Sequence, residues 1–120
     1  MSRLALALAV LLALPAAANA HAVLTKSSPA RRAVLVISPP KVELVFNERL
    51  EAAYSTASVW TTSNIRIDEG KAVVGPEDPR RLSVALPPLK GGQYVVKYRV
   101  LSVDGHLVEG TVPFEIRPRP

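Results

Sequence analysis

Apolar and polar residues alternate along most of this chain, in short runs that prolines and glycines separate. Every second residue is apolar over 41–46, and a longer series over 94–100 repeats the pattern with Lys97 and Arg99 on its opposite side. Runs of this period are typical of strands that bury one face. They predict strands over residues 22–26, 41–46, 55–61, 71–74, 82–86, 94–100 and 112–116.

The breaks between these runs are dipeptides that favour turns. They are Pro39-Pro40, Gly75-Pro76, Pro87-Pro88, Gly91-Gly92 and Asp104-Gly105. About seven short strands in a domain of roughly 100 residues are typical of an immunoglobulin-type Greek-key β-sandwich. The only stretch with a helical composition, residues 47–53, is too short to form a helix alone. We therefore predict an all-β fold.

The N-terminal segment has the composition of a secretory signal peptide. Arg3 precedes an uncharged apolar run over residues 4–14, Pro15 ends that run, and Ala18-Asn19-Ala20 has the small residues of a cleavage site. The run is shorter than the roughly 20 residues that span a bilayer, so an uncleaved anchor is the weaker alternative. We predict a signal peptide over residues 1–20, cleavage after Ala20, and one exported domain over residues 21–117.

The composition excludes several kinds of chemistry. The chain has no cysteine, and its single methionine is Met1, which leaves with the predicted signal peptide. The exported domain therefore has no thiolate and none of the soft sulfur ligands that select Cu(I). The net charge of +5 falls to +4 with the loss of Arg3. Because the basic residues are scattered through an exported domain, they favour a solvated surface over a nucleic-acid interface.

The two histidines, His21 and His106, are the candidate metal ligands. Taken singly, each is explained as simply by a surface position. Cleavage after Ala20 would, however, free the α-amine of His21, so that one residue offers an amine and an imidazole nitrogen. Their unperturbed pKa values, about 7.7–8.0 and about 6.5, let a strongly bound metal displace their protons at neutral pH.

Asp104 lies two residues before His106, and Gly105 between them permits either an extended or a tightly turned backbone. Both conformations let a carboxylate oxygen and an imidazole nitrogen face one ion. Together with His21 this makes a set of three nitrogens and one oxygen, which suits tetragonal Cu(II). Zinc remains an alternative, although such zinc sites prefer tetrahedral geometry.

Four segments together resemble the periplasmic copper-resistance C family (CopC and PcoC) over nearly the whole predicted domain. They are HAVLTKSSPA from His21, KVELVFNERLEAAYS, GGQYVVKYRVLSVDGHLVEG and TVPFEI. The resemblance implies an immunoglobulin-like or cupredoxin-like β-sandwich in the periplasm with one Cu(II) site. It implies that His21, Asp104 and His106 bind this ion. Some members place an acid near the copper at the position of Glu48, so this residue is either an outer partner or occasional ligand of the site or a solvated loop acid.

The sequence departs from part of that family in two places. Members with a Cu(I) site have a methionine-rich loop, whereas residues 61–79 contain neither methionine nor histidine. We therefore predict a single Cu(II) site and no Cu(I) site. The segment Ala30-Arg31-Arg32-Ala33 also lacks the glycine expected in the first turn.

Three classes of function remain open. The resemblance favours a monomeric copper carrier or buffer in copper homeostasis or resistance, which hands its ion to a CopD-type inner-membrane transporter. An N-terminal histidine chelate is also found in copper-dependent oxidative enzymes of the histidine-brace type, but Asp104 would fill the position that oxygen needs. A metal-free immunoglobulin-like interaction domain is the third class, because a fold alone does not determine a function.

Overall fold

The computed structural model describes residues 22–120. The predicted signal peptide and His21 lie outside the described residues. Within residues 22–120 the only helical element is one 3₁₀ turn at Ala52–Tyr54, so no helix there is long and apolar enough to cross a membrane. The strands are β1 Leu24–Ser28, β2 Ala33–Leu35, β3 Lys41–Phe46, β4 Thr56–Thr61, β5 Val73–Val74, β6 Arg81–Ala85, β7 Gly92–Leu101 and β8 Leu107–Ile116.

The strands form two four-stranded sheets, in the orders β1-β3-β6-β5 and β2-β8-β7-β4. Neighbouring strands are antiparallel except β2 and β8, which are parallel. The longest pairing is the β7–β8 hairpin, which stays in register from Gly92 opposite Ile116 to Leu101 opposite Leu107. This hairpin is the rigid element whose turn carries Asp104 and His106.

The alternating residues of the strands fill the space between the two sheets. Strands β3, β4, β6, β7 and β8 bury the alternate apolar residues that face the core, and fully buried large apolar side chains generally stabilise a fold by about 1.5–3 kcal/mol each. Phe46 meets Tyr98 edge to face, with ring centroids 5.4 Å apart. The core comprises Val42, Leu44, Phe46, Val59, Leu82, Val84, Val96, Val100, Val112, Phe114 and Ile116, among others.

The all-β sandwich predicted from the sequence is confirmed, and residues 22–120 form eight strands instead of about seven. The additional strand is β2, which the alternation did not reveal because residues 33–37 are all apolar. Its three residues pair with Phe114 to Ile116 of β8, a partner that local pattern does not indicate. The turn before it forms without glycine, because Arg32 takes the left-handed conformation at φ 63°. Its N–H donates to the Pro113 carbonyl at 2.7 Å.

The buried Asp68 holds the loop after β4 against the edge of that strand through hydrogen bonds. The side chain of Asp68 is 0% exposed, and its Oδ2 accepts hydrogen bonds at 2.9 Å from the Val59 N–H and from Arg66 Nε. Its Oδ1 accepts from the Gly70 N–H at 3.2 Å. Burial raises the pKa of Asp68, but together these hydrogen bonds and the charge of Arg66 lower it by more than burial raises it. The pKa therefore lies below its ordinary value. The ionised carboxylate thereby covers an edge that would otherwise be open to pairing.

We expect Asp68→Asn to lower the free energy of unfolding by about 2 kcal/mol at neutral pH, since hydrogen bonds to a charged acceptor are lost. The pKa of Asp68 is lower in the folded than in the unfolded chain, where it is about 3.9. Its contribution is therefore present above the unfolded pKa and disappears as the pH falls through the folded one. The two proteins should converge in stability on acidification.

Urea unfolding monitored by the fluorescence of Trp60, the single tryptophan, measures this difference. Glu109→Gln is the control, because that side chain is 67% exposed and its surface ion pair contributes less than about 1 kcal/mol. A stability difference between Asp68→Asn and the unchanged protein that persists or grows on acidification would contradict the assignment.

Candidate metal centre

The turn of the β7–β8 hairpin, residues 102–106, is built around a buried serine. Ser102 is 0% exposed. Its N–H donates to the His106 carbonyl at 3.0 Å, and its Oγ accepts from the His106 N–H at 3.2 Å. Gly105 takes φ 92°, a left-handed value that glycine adopts without strain. The turn therefore has one defined conformation, which determines where the side chains at 104 and 106 lie.

Asp104 and His106 are brought together on this turn. The Nδ1 of His106 lies 3.3 Å from Oδ1 of Asp104, and the two side chains are 42% and 31% exposed. The same Oδ1 accepts a hydrogen bond from the hydroxyl of Ser102. The hydrogen bond from that hydroxyl lowers the pKa of Asp104 most, and the His106 imidazole lowers it as well. Together they exceed the opposing effect of burial, so the pKa lies below its ordinary value. A carboxylate and an imidazole thus share one partly exposed position.

The segment after β3 packs beside this turn. Leu50 forms an isolated bridge with Ser102, and the Val103 N–H donates to the Arg49 carbonyl at 2.9 Å. Glu48 precedes that segment and lines the same cleft as Val103. Within residues 22–120, no group of three histidine, aspartate or glutamate side chains is placed to hold a metal, so Glu48 does not complete a cluster with Asp104 and His106.

The first described residues lie at this same end of the sandwich. Ala22 is 1% exposed and belongs to the core. The Val23 N–H donates to Asn47 Oδ1 at 2.6 Å, and the Asn47 N–H donates back to the Val23 carbonyl at 3.0 Å. Asn47 begins the segment that reaches Ser102 at Leu50. The chain therefore enters the fold close to the hairpin turn, although His21 itself lies outside the described residues.

Two residues important for this arrangement were not predicted from the sequence. Asn47 anchors the start of the domain, and Ser102 organises the turn that holds Asp104 and His106. Asn47 directly follows an alternating run, as a residue that ends a strand does. Ser102 stands two residues before Asp104, within reach of a turn hydrogen bond. Both features can be seen in the sequence, but neither indicates these roles unless the fold is known.

Several proteins with similar sequences are named for copper. The copper transport protein CutJ of Bacillus subtilis (strain 168) is 33% identical over 104 residues, which cover 86% of this chain. The chain spans only 19% of the length of that relative. The copper resistance protein C of Pseudomonas syringae pv. tomato is 32% identical over 108 residues, covering 85% of each protein.

A solved structure and a family model agree with these similarities. The crystal structure of CopC from Methylosinus trichosporium OB3b matches with a TM-score of 0.78 and 37% identity. The match covers 83% of this chain and 97% of that one. The CopC domain model matches residues 24–117, which include both sheets and the hairpin turn. The chain belongs to the CopC domain family.

Proposed function

We propose that this protein binds one Cu(II) ion and acts as an exported copper carrier or buffer. The α-amine and imidazole of His21, a carboxylate oxygen of Asp104 and an imidazole nitrogen of His106 bind the ion. The observation that carries this proposal is the 3.3 Å distance between His106 Nδ1 and Asp104 Oδ1. Both residues lie on a turn close to the point where the chain enters the sandwich. The similarity to relatives named for copper transport and copper resistance supports the choice of metal.

Covalent geometry supports the inclusion of His21. Val23 is hydrogen-bonded to Asn47, and two residues of chain extend at most about 7 Å from a fixed point. This short reach from Val23 supports the choice of His21 as a ligand. Its amine and imidazole close a chelate ring, and two nitrogens on one short tether bind more tightly than two separate ones.

The ligand chemistry favours Cu(II) over other ions. Imidazole, amine and carboxylate are the ligands of tetragonal copper, and divalent copper stands highest in affinity for such sites. Oδ1 of Asp104 already accepts the Ser102 hydroxyl, so Oδ2 is the oxygen assigned to copper. Glu48 lines the same cleft as Val103, and we assign it the role of an outer partner that adds negative charge.

A carrier fits this set better than an oxidative enzyme does. Three nitrogens and one oxygen occupy the four strong positions of tetragonal copper, which leaves none for oxygen. The exported chain has no cysteine or methionine, so it lacks the ligands that stabilise Cu(I). Copper bound here therefore remains oxidised and is held for transfer.

We assign the periplasm as location and a CopD-type inner-membrane copper transporter as recipient. The signal-peptide composition of residues 1–20 supports export. Support for a transporter as recipient comes from the Bacillus subtilis relative, a copper transport protein that contains a similar domain within a much longer chain. We take the carrier to be a monomer.

Titration of the processed protein with Cu(II), monitored by electron paramagnetic resonance, tests this proposal. We expect saturation at one equivalent and a tetragonal signal with nitrogen ligands. His106→Ala should lose affinity and one nitrogen, while Lys97→Ala on the outer face of the sandwich should bind as before. Absence of specific Cu(II) binding would favour a metal-free interaction domain, binding that persists after both histidines are replaced would contradict the proposed ligand set, and preference for Zn(II) in competition would favour zinc.

A further inference from the structure

The end of the sandwich opposite the candidate metal centre has a distinct composition. The β8 strand runs from the hairpin turn to Ile116, and its ten residues rise about 33 Å. Three segments meet at its far end, namely residues 36–41, 86–91 and 117–120, which we call the basic pole. They contain four basic residues and no acidic one: Lys41, Lys90, Arg117 and Arg119.

The opposite end has the reverse charge. Its three segments, residues 47–51, 75–80 and 102–106, surround the candidate metal centre and contain five acidic and two basic residues. Leu50 joins the three segments. Its N–H donates to the Pro79 carbonyl at 2.9 Å, and it forms an isolated bridge with Ser102. The segments at the two ends thus have net charges of opposite sign, and the negative end is suited to a cation.

The apolar tip of the basic pole is exposed. Ile37 is 80% exposed and the adjacent Val36 is 43% exposed. Single apolar residues on a surface are common, but here two adjacent β-branched residues are exposed on one of the three segments of the basic pole. Lys41 and Arg117 also reach carboxylates within the strands, Glu43 at 3.7 Å and Glu115 at 2.5 Å.

Hydrogen bonds hold the three segments in place. The Arg117 N–H donates to the Leu35 carbonyl at 2.7 Å, and the Leu89 N–H donates to Ser38 Oγ at 2.8 Å. The Leu86 N–H donates to the Pro40 carbonyl at 2.9 Å. Because these bonds lie on both sides of Ile37, the loop is tied to the sandwich and keeps its tip exposed.

We propose that the basic pole binds the surface of an anionic lipid bilayer. Val36 and Ile37 enter the headgroup region, and Lys90 and Arg119 lie at the level of the lipid phosphates. Two side chains on a convex tip are too small for a stable protein interface, which buries about 800 Å² on each partner. Nucleic acid would use the cations but not the apolar tip. Bound in this way, the protein holds its acidic end, with the candidate metal centre, toward the aqueous space.

Co-sedimentation with vesicles tests this proposal, using the processed metal-free protein with its first residue verified by mass spectrometry. We expect binding to equimolar phosphatidylglycerol and phosphatidylcholine at low salt, little binding to phosphatidylcholine alone, and release at high salt. Lys90→Gln with Arg119→Gln should weaken binding about 25-fold, at about fivefold per cation. Ile37→Ser should weaken it about tenfold through loss of apolar burial.

Matched variants elsewhere on the surface serve as controls. Val73→Ser removes an apolar side chain that is 57% exposed on β5, and Lys26→Gln with Arg99→Gln removes two cations from the sides of the sandwich. These variants should bind vesicles like the unchanged protein, and all variants should retain its circular dichroism. Failure to bind anionic vesicles, or equal weakening by the control variants, would overturn the proposal.

Discussion

We expect one alanine added before His21 to lower the Cu(II) affinity of the processed protein by more than about 100-fold. The proposed site uses the free α-amine of His21, and the added residue converts that amine into a peptide nitrogen. The imidazole remains, but the chelate ring can no longer close. Removal of a group that merely orients a metal ligand already costs about 10–100-fold in affinity, and loss of a ligand costs more. Retention of the signal peptide should have the same effect.

Competition with a Cu(II) chelator of known affinity measures this change, and electron paramagnetic resonance reports the loss of one nitrogen. The matched control is one alanine added after Pro120, at the basic pole, which should leave the affinity unchanged. His106→Ala should also bind weakly. If it does so while the extended protein binds normally, the site exists but does not use the amine of His21. An extended protein that keeps its full affinity would remove the His21 amine from the site.

The strands were predicted where burial on one face imposes alternation. Residues 41–46 match β3 in both limits, because every second side chain enters the core. The strand at 71–74 is shorter than predicted, since only Val73 and Val74 pair with β6. The β2 strand could not be predicted, because its pairing with β8 depends on how the two sheets fold together.

The candidate site was predictable only in part, for a related reason. Asp104 and His106 are close in sequence, so their spacing predicts that they meet, and they lie 3.3 Å apart. Asn47 and Val23 are 24 residues apart, and their hydrogen bond exists only because β1 pairs with β3. Sequence patterns therefore indicated which residues could bind a metal but not which residues hold them in position.

The hairpin that carries the candidate site depends on a glycine at its inner face. We expect Gly110→Ala to lower the free energy of unfolding by about 3 kcal/mol or more, since overpacking typically costs about 1–3 kcal/mol and the space here is almost closed. Gly110 lies opposite Tyr98, and a Cβ at position 110 would come within 2.2 Å of its hydroxyl oxygen and 2.4 Å of Cζ. The ring of Tyr98 would have to leave its contact with Phe46.

A second substitution shows whether this clash is the cause. In Tyr98→Leu the ring atoms that approach position 110 are absent, so adding Gly110→Ala to that variant should cost less than about 1 kcal/mol. The backbone at Gly110 is ordinary strand, where alanine would otherwise stabilise the protein by about 0.4–1 kcal/mol through the unfolded chain. Chemical denaturation of the four proteins gives the coupling energy between positions 98 and 110. Additive effects would mean that Gly110 is required for some reason other than the Tyr98 ring.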